Sequence, residues 1–306
     1  MSSRPARLLR TDEGRVRLGW RLLAFLMVAT LVALVVGALV PAGVVGGSAA
    51  VLAGSLVAGW WLLALEGRGP GALGFHGSRE AVGEAGRGLG LGVLVGLVVV
   101  GLMAALGVVR WTPEAGSVSG WLYGALGALV FLSLPAAAEE ALLRGYPLQA
   151  LAEVWGRERA VVVTAGAFGL LHLGNPGAGV LSTLNVAAAG MLLGIVYLRT
   201  ASLWWATGVH LGWNWSHGYV ADVSVSGLEV VNAPLYEGVA TGPRWLGGGA
   251  FGPEGSIVST IVVLGAAAVC WWGPWPVAGA AAMAADPLVA PIPGGRTEAE
   301  GVGPEE

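Results

Sequence analysis

Long uncharged runs alternate with short charged segments along the whole chain. Leu22 to Leu65 carries no charge and is interrupted by Pro41, Gly43, Gly46 and Gly47. That divides it into two stretches of spanning length, since a helix needs about 20 apolar residues to cross the hydrocarbon core. Gly88 to Val109 is a third run, and Ala115 to Ala138 a fourth whose helix continues past Glu139. Ala160 to Leu198 is uncharged around the turn Gly174-Asn175-Pro176-Gly177 and supplies two more; Thr200 to Ala221 and Gly255 to Trp275 complete the set. The pattern predicts an all-α fold, a polytopic transmembrane helical bundle of about eight spans. The first run is longer than the roughly 7–15 residues of a signal-peptide core, so it reads as an uncleaved anchor.

Composition sharpens this picture. Of 306 residues 55% are hydrophobic and 11% charged, against about 25% charged in soluble domains, and the mean hydropathy is +0.73. A water-soluble cytosolic enzyme is excluded. The net charge is −3, and all 16 basic residues are Arg. They fall in short segments and not on one basic face, so no nucleic-acid partner is expected. The single Cys270 excludes an internal disulfide and a thiolate zinc cluster. Counting Arg in the loops predicts both termini inside. That side gathers Arg4 to Arg21, Arg68 to Arg87, Arg157, Arg159, Arg199 and Arg296, and the other keeps Arg110 and Arg244. The Arg-only, Gly-, Ala- and Trp-rich composition points to a high-GC prokaryote and its cell membrane.

The expected organisation has a cytoplasmic Arg-rich N-terminus (1–21) and N-terminal transmembrane helices (22–114). Within the latter lies an interfacial, partly amphipathic connector (66–87). A catalytic transmembrane core (115–221), an outer loop with the last transmembrane helix (222–285) and a disordered cytoplasmic tail (286–306) follow. The tail reads so from its Pro, Gly and Glu content. His76 reads as an interfacial loop residue, and Gly190-x-x-x-Gly194 as close helix packing.

An ionisable side chain inside a span costs at least about 2.5 kcal/mol near the centre and is a functional candidate for that reason. Three clusters qualify. In Glu139-Glu140-x-x-x-Arg144, Glu140 and Arg144 stand at i,i+4 and can pair. Glu139 points about 100° away and is left to face a cavity. In Phe168-x-x-x-His172, ring and imidazole share a face. His210, Asn214 and His217 form a stripe at i, i+4 and i+7, with His217 nearest the outer end and read as interfacial. Helical rise places Glu139, His172 and His210 each roughly 15–18 Å above the cytoplasmic end of its helix. Three helices thus bring polar groups to one level.

A carboxylate, two imidazoles and a carboxamide within a membrane suit the activation of water at a carbonyl. Glu139 would serve as general base with His172 on the same water, and His210 with Asn214 could hold the developing oxyanion. A zinc version would use Glu139, His172 and His210 as ligands; residue types alone leave the two open. The chain has no His-Glu-x-x-His, no paired-aspartate arrangement and no Gly-x-Ser-Gly.

In order and spelling the three motifs resemble the CPBP family, the type 2 CAAX prenyl proteases and bacteriocin-processing (Abi-type) intramembrane proteases, over roughly Ala125 to Gly218. Gly71-Ala-Leu-Gly-Phe75 looks like the family's lead-in. The resemblance implies a catalytic Glu139 supported by Glu140 and Arg144, His172 as water-activating partner, and His210 with Asn214 as polarising residues. It implies hydrolysis of membrane-associated peptides or proteins, with a divalent metal such as zinc possible. The prokaryotic composition weighs against a prenylated tail as substrate. Two other functions fit the same residues: a non-enzymatic immunity or scaffold protein on this fold, and a transporter or proton relay. Duplicated halves, frequent in transporters, are absent from the sequence.

Overall fold

The computed structural model describes residues 9–11 and 14–293. Arg4, Arg7, Arg296 and the tail beyond 293 lie outside them. Helices dominate: α1 (Leu18–Gly37), α2 (Val44–Leu65), α3 (Glu80–Ala105), α4 (Val118–Glu140), α5 (Tyr146–Trp155), α6 (Arg157–Leu171), α7 (Val180–Thr200), α8 (Leu203–Trp215) and α9 (Ile257–Trp272). Two short strands, β1 (Val109–Pro113) and β2 (Tyr236–Ala240), pair antiparallel with Trp111 opposite Gly238. Serines begin three of the helices: Ser117, Ser202 and Ser256 accept the amides of Gly120, Trp205 and Ser259. Each satisfies an amide that the first turn would otherwise leave unpaired.

Among the described residues five helices are long and apolar enough to cross a membrane, and they mark a membrane protein: α1, α2, α3, α7 and the continuous stretch Val118–Trp155 formed by α4, the turn after it and α5. The other three apolar runs fold into shorter helices. α6 has 15 residues, α8 has 13 and α9 has 16, or about 20–24 Å each against a hydrocarbon thickness near 30 Å. The eight apolar runs thus meet five helices of spanning length among the described residues.

Small residues let α3 and α8 touch backbone to backbone. Gly88 and Gly92 of α3 face Gly208 and Gly212 of α8, and a Cβ on any of the four would collide with backbone of the facing helix. Such close approach is a standard source of helix association in membranes, and here it fixes the helix that carries His210 and Asn214.

Two segments depart from their expected placement. The connector folds into the protein and does not lie along its surface: Pro70–Leu73 forms a tight turn with Leu73 fully buried. The Leu73 carbonyl accepts Tyr197 Oη, the Ala72 carbonyl accepts Gln149 Nε2, and the Gly74 carbonyl accepts the Leu203 amide. His76 is likewise buried, bonded to Glu84 and Ser78. In the tail, residues 286–293 are held in place where disorder was expected. Gln149 Oε1 accepts the Leu288 amide, the Leu198 carbonyl accepts the Ile292 amide, and Arg157 donates to the Ala290 carbonyl. Leu288, Val289 and Ile292 add apolar contact with the core. Backbone partners far away in sequence outweigh the local composition in both cases.

Candidate active site

The site begins with a break in helical rhythm. Pro135 in α4 has no N–H to offer the Phe131 carbonyl one turn earlier. After Glu140 the chain forms one wider π-helical turn, Ala141–Gly145, before resuming as α5. Such turns insert one residue into a helix and recur at functional positions. Glu139 and Glu140 stand just above it, on different sides of the helix.

Glu140 points inward. Its side chain and that of Arg144 are both 0% exposed, with Arg144 Nη1 3.1 Å from Glu140 Oε1. The same oxygen lies 2.9 Å from His210 Nδ1. Arg144 also donates from Nη2 to the Gly190 carbonyl at 3.0 Å, and its guanidinium lies over the Phe168 ring, 4.4 Å from the centroid. The expected i,i+4 pair is therefore present, but neither residue lines the cavity. They sit behind the site and orient His210.

Glu139 points outward into a cavity of about 430 Å³. Its Oε2 lies 3.9 Å from His172 Nε2 and 3.8 Å from His210 Nε2. The carboxylate is 36% exposed, His172 15% and His210 8%, and all three residues line the cavity. Both imidazoles are oriented from behind. His172 Nδ1 lies 2.8 Å from the Phe168 carbonyl, and His210 Nδ1 faces Glu140. Carbonyl and carboxylate only accept, so each Nδ1 carries a hydrogen and each ring turns its Nε2 toward Glu139. Phe168 packs edge-on against both rings, with centroids 4.7 and 5.7 Å away. Asn214 lines the same cavity one turn beyond His210.

The structure thus brings Glu139, His172, His210 and Asn214 together around one space. His217 is elsewhere and is fully buried, not interfacial. A second π-helical turn, Ser216–Val220, takes it out of the stripe. Its ring lies against Trp213 at 4.3 Å.

Several residues of the site were not legible in the sequence. Glu254, placed by hydropathy in an outer segment, is buried and lines the cavity. Its carboxylate accepts Trp213 Nε1 on one oxygen and the Ser226 amide and hydroxyl on the other. Asn185 holds the same loop by donating to the Glu254 and Ser256 carbonyls. The only hint was an acid inside the turn Gly252-Pro-Glu-Gly255 directly before an apolar run. Gly190, read as generic helix packing, is specific to the site: a Cβ there would sit 3.1 Å from Arg144 Nη2, from Ala165 Cα and from Phe168 Cβ. Gly190→Val is expected to lower stability by about 1–3 kcal/mol, the usual cost of overpacking. A lower unfolding midpoint in detergent checks this, and an unchanged midpoint contradicts the packing.

Glu139, His172 and His210 are chemically a zinc donor set, with each Nδ1 already engaged as metal-bound imidazoles require. Among the described residues, however, no group of three or more His, Cys, Asp or Glu side chains comes close enough together to hold a metal ion.

Residues 120–216 match the family model described as Rce1-like, type II CAAX prenyl endopeptidase Rce1-like. The matched segment contains Glu139, Glu140, Arg144, His172, His210 and Asn214. The resemblance carried by the three motifs is borne out over this segment, which is similar to a CAAX-type intramembrane endopeptidase. No curated protein and no solved structure matches the chain.

Proposed function

We propose that this protein hydrolyses peptide bonds of membrane-associated peptides or proteins, with Glu139 as the base that activates water in the cavity. The observation that carries the reading is the convergence of Glu139 Oε2 with two Nε2 atoms at 3.8–3.9 Å. A water within hydrogen-bond reach of the carboxylate and an imidazole fits separations of this size.

Glu139 takes a proton from the water as its oxygen attacks the substrate carbonyl carbon, leaving a tetrahedral oxyanion. Asn214 Nδ2 donates to that oxygen. His210 Nε2 does so only in its doubly protonated form, whose charge Glu140 balances from the other ring nitrogen. Collapse breaks the C–N bond, and the proton held by Glu139 passes, directly or through His172, to the departing amine. The products are a new carboxylate and a new amine. A general base contributes about 10²–10⁴-fold and one oxyanion donor about 10²–10³-fold.

The two histidines are expected to separate in their effects. His172 is partly exposed and bonds behind itself to one carbonyl, so His172→Ala should slow cleavage by about 10²-fold or more at unchanged stability. His210→Ala also strips a partner from a buried carboxylate, which costs about 1–3 kcal/mol in addition to the rate. Thermal unfolding and cleavage measured on both variants check the split; equal stability losses contradict it.

The donor chemistry supports a metal-dependent version as a second reading. If a zinc ion were bound, Glu139, His172 and His210 would hold it, and it would supply Lewis-acid polarisation of the carbonyl. The test is cleavage of a quenched-fluorescent library of short membrane-associated peptides by the purified protein in liposomes, with and without a strong chelator. Turnover that depends on His172 and survives the chelator supports the water-and-carboxylate route. Turnover lost with the chelator and restored by zinc supports the metal. Turnover unaffected by both His172→Ala and His210→Ala overturns the proposal.

A further inference from the structure

Where the cavity opens relative to the charged ends of the bundle bears on which peptides reach it. Its walls away from Glu139 come from the start of α2 (Gly43, Val44, Ser48), the α6–α7 turn (Asn175) and the loop around Ser226 and Glu254. All of these lie at one end of the bundle. Toward the other end Leu73, Tyr146, Leu148, Tyr197 and Leu203 are at most 2% exposed and fill the interior below Arg144; the second cavity on that side, lined by Arg15, Arg17, Arg21 and Glu153, does not include Glu139, His172 or His210 in its lining.

The closed end is also the Arg-rich end. Arg15 and Arg21 pair with Glu66, just past the end of α2, and with Glu153 near the end of α5. Arg68 and Arg157 grip the chain at 286–290 on that same end. Arg79 and Arg87 begin α3, Arg159 begins α6, and Arg199 ends α7, where it donates to carbonyls of Trp271, Gly273 and Pro276. The open end carries Arg110 in β1 and Arg244 in the long loop, alongside Glu114, Asp222, Glu229 and Glu237. Arg near helix ends stays on the cytoplasmic side of a membrane, and acidic residues contribute little to that rule.

We infer that the cavity is entered from the extracytoplasmic side of the membrane. Its substrates are then peptide segments presented there, at or just within the outer leaflet, and not cytoplasmic tails. This rests on the endopeptidase reading for the word substrate, while the sidedness stands on geometry and charge alone. It also accounts for water: a carboxylate deep in an apolar bundle receives its nucleophile from the side on which the cavity opens. Apolar wall residues such as Val95, Phe131, Leu192 and Val263 suit an apolar side chain beside the scissile bond.

Cysteine accessibility tests the sidedness without any turnover. In a Cys270→Ala background, which removes the chain's single cysteine, one protein carries Ser48→Cys at the cavity wall. Another carries Gly77→Cys in the loop at the closed end, where a side chain meets open space. Intact cells expressing each full chain are treated with a membrane-impermeant maleimide, before and after permeabilisation, and labelling is normalised to denatured protein. The expected result is that the Ser48→Cys thiol reacts in intact cells to nearly its permeabilised extent. The Gly77→Cys thiol should rise about tenfold or more only on permeabilisation. The reverse pattern overturns the inference, and so does protection of the Ser48→Cys thiol in both states. Val44→Cys repeats the test at a more exposed wall position should Ser48→Cys not insert. A protein that passes this test and cleaves nothing refutes the endopeptidase reading alone; one that cleaves but is labelled from the closed end refutes the sidedness alone.

Discussion

Arg144→Ala is expected to cost about 3–5 kcal/mol of stability, the penalty for leaving one member of a buried ion pair without the other. Glu140 and Arg144 are both 0% exposed, so water cannot replace the lost guanidinium. Three further interactions would go with it: the donation to the Gly190 carbonyl that ties the π-helical turn Ala141–Gly145 to α7, the cover over Phe168, and the balance of charge beside His210. The control is the double variant Glu140→Leu with Arg144→Met, which removes both charges and keeps apolar bulk. Because a hydrophobic replacement of a whole buried pair is often neutral in stability, that protein should recover most of the unfolding midpoint while remaining slow in cleavage. His210 would lack its orienting carboxylate in it. Equal midpoints for wild type and Arg144→Ala contradict the account of a buried positioning pair.

Glu139→Gln is the second large effect. The side chain faces the cavity and makes no hydrogen bond through Oε2, so an amide of the same shape leaves insertion and folding unchanged. The rate should fall by about 10²–10⁴-fold, the contribution of a positioned general base. Adding His172→Ala to Glu139→Gln should cost little beyond the single change, because two groups acting on one water are not additive. Independent, multiplying losses would place His172 in another step.

Much of this was readable before any coordinates. The convergence of Glu139, His172 and His210 follows from helical rise, because a similar number of residues separates each from its own helix end. The Glu140–Arg144 pair follows from i,i+4 spacing. What was not readable depends on long-range contact or on broken periodicity. The bond from His210 to Glu140 joins residues seventy apart, and no local rule announces it. His217 left the stripe because the π-helical turn at Ser216–Val220 advances the phase. Glu254 reached the cavity through a loop anchored by Asn185, Trp213 and Ser226. The segments 70–76 and 286–293 depart for a related reason: mixed charged and apolar residues in the first and Pro, Gly and Glu in the second point to an interfacial connector and a disordered tail, yet their backbone groups find partners on α5, α7 and α8. The eight apolar runs meet five helices of spanning length among the described residues, with α9 a shorter apolar helix.

The most direct test of the central claim is cleavage of a single membrane-associated peptide by the purified protein in liposomes, followed by mass spectrometry of both product ends. Wild type and Glu139→Gln would be measured side by side at matched amounts of folded protein. The account predicts two complementary fragments from the wild type and a rate at least about 10²-fold lower from the variant. Equal rates from the two proteins would contradict it.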